Sequence, residues 1–351
     1  MSIECQTYSK LMLKKVSWIL FSLFMLSGVN SKAQDPHYSQ YFNSPIFENP
    51  ANTGFFNGTY RAALNYKNQW RSISNPYTTS AVSLDAPLLK RLFHHDAIGI
   101  GGLIVRDKAG DSEYGFTSGG LSLSYHKALN RRGNSFLLVG IQYSIVQKTI
   151  DYSALRFGDQ FNGNSYDPDI QTNEKFVLEQ LSYSDFNLGT KWFFHSISGI
   201  TYHAGFSISH INQPNQSLYN IVDIPLKRKF LITYGNIIPI KGRIELQPGL
   251  SYSRQGRYNE LLFGTLLNFN QTDNSAWPLD FNAGLYNRWK DAVIFMVGAT
   301  YKLYNFGLSY DLNYSGLRKS SVYRGGPEIS VIVTFGKERN IVKREVSCPI
   351  F

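Results

Sequence analysis

From Thr59 to Phe335 large apolar side chains recur at every second position, in stretches of about ten residues divided by turn-rich breaks. Successive side chains of a strand point to opposite faces, so each stretch reads as a strand that is apolar on one face only. Phe306, Leu308, Tyr310, Leu312 and Tyr314 share one face, against Gly307, Ser309, Asp311 and Asn313 on the other. Leu121, Leu123 and Tyr125 stand against Gly120, Ser122, Ser124 and His126, and Tyr202, Ala204, Phe206 and Ile208 against His203, Gly205, Ser207 and Ser209. Near the end, Ile329, Val331, Val333 and Phe335 oppose Glu328, Ser330 and Thr334.

Strands are expected near 59–70, 78–86, 97–107, 115–127, 135–151, 184–195, 201–210, 229–240, 244–255, 258–269, 278–289, 292–301, 304–314 and 326–335, about fourteen in all. The number is even, and the lengths suit a tilted strand crossing a bilayer, which takes about 9–11 residues. A soluble sandwich also alternates, but its outer face carries many charges. Here the polar face is mostly Gly, Ser, Asn and Thr, and Trp70, Trp192, Trp277 and Trp289 suit an interfacial girdle. The fold class is therefore all-β, an antiparallel transmembrane barrel of about fourteen strands.

Connection lengths suggest an orientation. Residues 196–199, 241–243 and 302–303 make short links on one side, whereas 152–183, 211–228 and 315–325 make long ones on the other. Short periplasmic turns and long external loops are usual in outer-membrane barrels. With the first strand running outward, both chain ends are expected in the periplasm. The asymmetry is not uniform, since Gly256-Arg257 and Lys290-Asp291 are short links on the long-loop side.

The first 33 residues have the form of a signal peptide: Lys10, Lys14 and Lys15 precede an apolar run from Val16 to Val29, and Ser31-Lys32-Ala33 supplies a cleavage site. Cleavage there removes four Lys and one Glu, so the net charge falls from +10 to about +7. The positive residues are scattered, which argues against nucleic acid as a partner and for acidic surfaces such as lipid headgroups. Cys348 is then the single cysteine and cannot form an internal disulfide.

Candidate chemistry is sparse. His126 with Ser122 and Ser124, and His203 with Ser207, place His and Ser on one strand face, yet period-two alternation makes this unavoidable in a Ser-rich barrel. Asp167, Asp169 and Glu174 lie close together in a long loop, but their spacing matches no calcium-binding repeat. No catalytic residue, metal ligand or cofactor site is assigned.

The segment 34–58 is different in kind. Pro36, Pro45, Pro50 and Gly54 forbid a long helix or a ladder strand, while Tyr38, Tyr41, Phe42, Ile46, Phe47, Phe55 and Phe56 need burial. Two placements are open: folded into the lumen as a plug, or displayed beneath the barrel as a partner surface. Inside packing is preferred, because so many apolar side chains left in water would be adhesive.

Gln34-Asp35-Pro36, Tyr38-Ser39-Gln40-Tyr41-Phe42, Pro45, Asn49-Pro50-Ala51, Gly58, Tyr60-Arg61 and Asn65-Tyr66-Lys67-Asn68-Gln69-Trp70 occur in an order that resembles the opening of the PorP/SprF family, outer-membrane proteins of the type IX secretion system of Bacteroidota. Pro76-Tyr77, Phe157-Gly158-Asp159-Gln160, Gly326-Pro327-Glu328-Ile329-Ser330 and Cys348-Pro349-Ile350-Phe351 look like further family landmarks. Ile350 stands where family tails often carry a basic residue.

The resemblance implies a non-enzymatic barrel of the secretion and gliding machinery, without cofactor. Its implied partners are outer-membrane lipid, periplasmic type IX secretion components and, for some members, a large secreted adhesin-like protein that the barrel helps to export or anchor. Site residues expected on this basis are Tyr38, Tyr41, Phe42, Pro45, Phe47, Asn49 and Pro50 for plugging or partner binding. Asn65, Tyr66, Asn68, Gln69 and Trp70 carry the first-strand motif. Lys343, Arg344, Cys348, Pro349 and Phe351 form a basic docking tail. The expected division is 1–33 signal peptide, 34–58 plug or docking segment, 59–335 barrel and 336–351 tail. A plugged channel or transporter for small apolar solutes is the alternative.

Overall fold

The computed structural model describes residues 35–69, 75–90, 95–174, 177–219, 223–270, 279–315 and 324–336. Residues 1–34, which include the expected signal peptide, Trp70, Trp277 and the tail residues Lys343, Arg344, Cys348, Pro349 and Phe351 lie outside the described residues. All elements below belong to one unit, Pro36–Phe351.

Fourteen strands form a closed antiparallel barrel in which each pairs with its sequence neighbours and the last pairs with the first. They are β1 (Tyr60–Gln69), β2 (Tyr77–Lys90), β3 (Ala97–Ala109), β4 (Tyr114–Ala128), β5 (Ser135–Thr149), β6 (Gln180–His195) and β7 (Thr201–Ser209). The second half comprises β8 (Lys229–Lys241), β9 (Ile244–Gln255), β10 (Tyr258–Phe269), β11 (Leu279–Arg288), β12 (Ala292–Tyr301), β13 (Tyr304–Asn313) and β14 (Arg324–Phe335). Closure leaves no sheet edge, the condition for strands to cross hydrocarbon with every backbone group bonded. No helix among the described residues is long and apolar enough to cross a membrane.

The alternation resolves into an inverted protein. Leu121, Ile104 and Leu308 are outward and 70%, 60% and 49% exposed, whereas Ser122, Ser309, Asp311, Glu328 and Ser330 point inward and are buried. A belt of exposed Leu, Ile, Val and aromatic side chains covers the outside, the pattern of a barrel solvated by lipid. At the β6–β7 rim Trp192 stacks on Phe194 and Phe194 on Tyr202, and near the opposite rim Trp289 leans on Phe263. These aromatic groups belong where headgroups meet hydrocarbon.

Links at one end of the barrel, which also holds Tyr60 and Phe335, are mostly short; between β8 and β9 only Gly242 and Arg243 remain, with Gly242 in the left-handed region at φ +61°. The other end carries the long links 150–179 and 210–228. These are called the short-turn and long-loop ends.

Arg at the centre of the lipid belt is costly, so Leu308→Arg is expected to lower stability by about 2–4 kcal/mol in equilibrium unfolding from lipid vesicles. A cost under about 1 kcal/mol is the result for a position near the interface instead.

Candidate functional site

The chain between Pro36 and Gly58 makes no ladder strand. Its prolines restrict it to three short turns of helix, Tyr41–Asn43, Pro45–Glu48 and Pro50–Asn52, with Pro45 and Pro50 each at a first helical position. Asn49 caps the last of these by accepting from the Ala51 N–H at 2.9 Å. Tyr38, Ser39, Gln40, Ser44, Ile46, Asn49, Ala51, Asn52 and Thr53 are buried. Their partners are inward-facing groups of strands all round the barrel.

Apolar side chains of the segment meet three apolar patches in an otherwise polar wall. Tyr38 and Ile46 join Ala81, Leu103 and Val105, and Phe47 packs edge-on to Tyr38 with ring centroids 5.2 Å apart. Tyr41 and Phe42 lie against Leu262, Leu266, Tyr286, Ile294 and Met296. Ala51 and Phe55 lie against Phe136, Leu138 and Phe193.

Elsewhere the wall is cut back to glycine. A Cβ on Gly140 would strike the Pro50 and Ala51 backbone, on Gly189 the Asn49 side chain, on Gly99 the Thr53 carbonyl, and on Gly307 the Gln40 amide. These inward positions leave a groove with the shape of the segment.

Two ionic clamps hold its ends. Toward the long-loop end, the Ser39 and Gln40 N–H groups donate to the two oxygens of Glu328 at 2.7 and 2.9 Å. The Ser39 hydroxyl donates to Asp311 at 2.8 Å and accepts from Lys67 at 3.1 Å and Arg288 at 2.8 Å. Lys67 also donates to the His37 carbonyl at 3.1 Å, and Arg288 to Asp311 at 2.9 Å. The side chains of Lys67, Arg288, Asp311 and Glu328 are at most 2% exposed. Buried charges of this kind persist only when paired and hydrogen-bonded.

Toward the short-turn end, Arg61 binds Asp85 through Nε at 3.0 Å and Nη2 at 2.6 Å, and donates to the Asn52 carbonyl at 3.0 Å. Asp85 in turn accepts the Gly54 N–H at 2.7 Å, and the Arg61 guanidinium lies 4.6 Å from the centre of the Phe56 ring. Lys191 donates to the Asn52 side chain at 2.8 Å. Between the clamps, Ser44 donates to Asn65 at 2.7 Å and Asn49 to the Thr190 and Phe206 carbonyls. Burial raises the Glu48 carboxyl above its ordinary range, an effect opposed by Lys191.

The residues singled out from sequence divide accordingly. Tyr38, Tyr41, Phe42, Pro45, Phe47, Asn49 and Pro50 all contact the barrel wall or one another inside this arrangement. In the first-strand motif Asn65 faces in and is buried, Tyr66 faces out at 41% exposure, and Asn68 and Gln69 are half-buried at the strand's end. Lys67, Arg61, Asp85 and Arg288 carry the clamps and were not singled out as site residues. Their signal was a charge on an inward strand position; Lys67 stands directly opposite Glu328 and Arg61 opposite Asp85 in the ladder.

The other candidates have structural roles. Ser124 and His126 bond each other at 2.8 Å and both reach the Thr53 carbonyl, at 2.5 and 3.0 Å, so the pair grips the segment. Ser207 donates to the Glu48 carbonyl at 3.3 Å. In the long loop Asp167 caps its own turn at the Asp169 N–H, and Asp159 binds Thr172 and Asn173. Among the described residues no three His, Cys, Asp or Glu side chains are placed to hold a metal.

A closed fourteen-strand barrel with a lipid-facing apolar belt and a polar, occupied lumen defines an outer-membrane-type β-barrel protein. A family model described as type IX secretion system membrane protein PorP/SprF matches residues 30–331, and the chain belongs to that family. It is thus a membrane component of a secretion system, and its barrel places it in the outer membrane. No enzymatic family or fold is indicated. No curated protein matches the chain by sequence. Among solved structures it is similar to a FadL homologue of Pseudomonas aeruginosa, at 12% identity and TM-score 0.50 over 84% of this chain and 94% of that one. The toluene transporter TodX of Pseudomonas putida aligns at 10% identity and TM-score 0.47, over 83% and 92%. At 12% identity the likeness to the FadL homologue shows the fold alone.

Two substitutions test the arrangement. Glu328→Ala leaves the Ser39 and Gln40 N–H groups without their acceptor and removes one of the two carboxylates beside buried Lys67, and is expected to cost about 3–5 kcal/mol in equilibrium unfolding. Gly189→Leu fills the groove at Asn49 and is expected to expose residues 36–54 to protease while the barrel stays folded; unchanged protection would mean that the groove does not hold the segment.

Proposed function

We propose that this chain is a non-enzymatic outer-membrane component of type IX secretion whose N-terminal segment plugs the lumen. In this reading it supports export or surface anchoring of a large secreted adhesin-like partner and works with periplasmic components of the system. The observation that carries the secretion role is the family match over residues 30–331. The plug is supported by the two clamps and by inward glycines against which Gln40, Asn49, Pro50, Ala51 and Thr53 pack too closely for a Cβ.

The short-turn end, with Phe335 and the chain that follows it, faces the periplasm in this proposal, because short periplasmic turns are the rule for such barrels. The tail residues Lys343, Arg344, Cys348, Pro349 and Phe351 then offer a basic contact to an acidic periplasmic partner. The fold likeness to the FadL homologue raises a second reading, passage of small apolar solutes. It is disfavoured, because the apolar patches of the lumen are covered by the segment's own Tyr38, Tyr41, Phe42, Ile46 and Phe55.

Conductance and pull-down separate the readings. The wild-type protein in planar bilayers is expected to be silent, and deletion of residues 35–56 to open a steady conductance. Steady flux through the wild type would favour the channel. Crosslinking from cells is expected to recover secretion-system components; a pull-down without them, together with an unchanged secretome on gene deletion, would sink the secretion role.

A further inference from the structure

The clamp at the long-loop end has the composition of a peptide-binding site. Glu328 spans two consecutive backbone N–H groups with its two oxygens, Lys67 takes a backbone carbonyl, and a single hydroxyl is shared among Asp311, Lys67 and Arg288. Only the hydroxyl and the Gln40 amide, which donates to Ser309 at 3.1 Å, belong to side chains of the bound segment. The wall therefore reads main chain, one small hydroxyl and the Gln40 amide, which also donates to the Glu328 carbonyl at 3.1 Å and accepts from Ser330 at 2.8 Å, a pattern that another polypeptide can present and that a lipid or an apolar solute cannot.

The clamp lies toward one mouth of the barrel. His37 lies against Glu260, the third residue of β10, and Ser39 against Arg288, the last residue of β11; both strand ends belong to the long-loop end. Gly54 lies at Asp85 and Thr59 bonds Phe335, at the other end. The segment therefore runs the length of the lumen. Its upstream end, Pro36–His37, and the end of β14 lie at opposite mouths. The downstream half has its own clamp at Arg61, Asp85 and Lys191, so residues upstream of Ser44 can leave without unseating the rest.

We propose that the Lys67–Arg288–Asp311–Glu328 clamp is a polypeptide-binding site filled in the resting protein by its own Ser39–Gln40, and that a Ser- or Thr-containing segment of a partner polypeptide, entering from the long-loop mouth, takes their place. This rests on the plug reading and adds a defined site at which the plug is exchanged. Displacement needs no free carboxylate or cation, because the incoming backbone satisfies Glu328 and Lys67 and the incoming hydroxyl satisfies Asp311 and Arg288.

The test uses the peptide Asp35–Asn43 as probe, labelled with a fluorophore, on the full barrel in detergent with residues 34–40 deleted. Binding at least tenfold tighter than to wild type, and at least tenfold weakened by Glu328→Gln or Asp311→Asn in the deleted background, is the expected result. Ser39→Pro with Gln40→Pro, which removes both N–H donors and the hydroxyl at full length, is a second emptied form expected to bind the peptide likewise. Equal binding to wild type and to both emptied forms, or equal binding of a scrambled peptide, overturns the proposal. Conductance of the barrel lacking residues 35–56 tells the two ideas apart. If that barrel conducts but the 34–40 deletion binds no peptide, the plug stands and the exchange site falls; if the 34–40 deletion binds peptide but loss of residues 35–56 leaves conductance unchanged, the site stands and the plug falls.

Discussion

Buried charge inside a closed barrel is the constraint on which the rest of this structure depends. Turning fourteen half-apolar strands inside out to face lipid forces their polar faces together, and with them Lys67, Arg288, Asp311, Glu328, Arg61 and Asp85. An ionised group removed from water costs several kcal/mol unless partners replace the water. The wall supplies part of this replacement, since Lys67 sits opposite Glu328 and Arg61 opposite Asp85. The N-terminal segment supplies much of the rest, through the Ser39, Gln40 and Gly54 N–H groups, the Ser39 hydroxyl and the His37 and Asn52 carbonyls.

The dependence is mutual. A chain rich in proline, with three brief helical turns, cannot satisfy its own backbone and has no core of its own. It acquires both from the wall: Asn49 spans the β6 and β7 carbonyls, Ser124 and His126 take Thr53, and three apolar patches receive its aromatic rings. Glycines at 99, 140, 189 and 307 matter here for the side chain they lack, since each lets backbone or amide approach where a methyl group would collide.

Much of the barrel was legible because period two is a local signal. Every expected strand is present, and the starts of β3, β5, β7, β8, β9, β10, β12 and β13 fall at the expected residues. The differences are local too: β2 continues past Pro87 through an irregularity in its pairing with β3, and β6 begins at Gln180, four residues before the alternation becomes clear at Ser184. The clamps were harder to read, because the Lys67–Glu328 pair exists only once the first and last strands meet, 261 residues apart. Arg288 reaches Asp311 across β12 over Ala292, a contact that needs three strands in register. Ser124 and His126 show the converse: the pair was visible in sequence, yet its partner, the Thr53 carbonyl, is a backbone group far away along the chain.

Hydrogen exchange of the folded barrel tests most directly whether buried charge and segment hold each other. The Ser39, Gln40 and Gly54 amides donate to carboxylates of the lumen wall. They are expected to exchange as slowly as the amides of β1 and β14, although they lie outside any strand. Exchange of those three at the rate of an unprotected loop, with the strand amides still protected, would contradict the account.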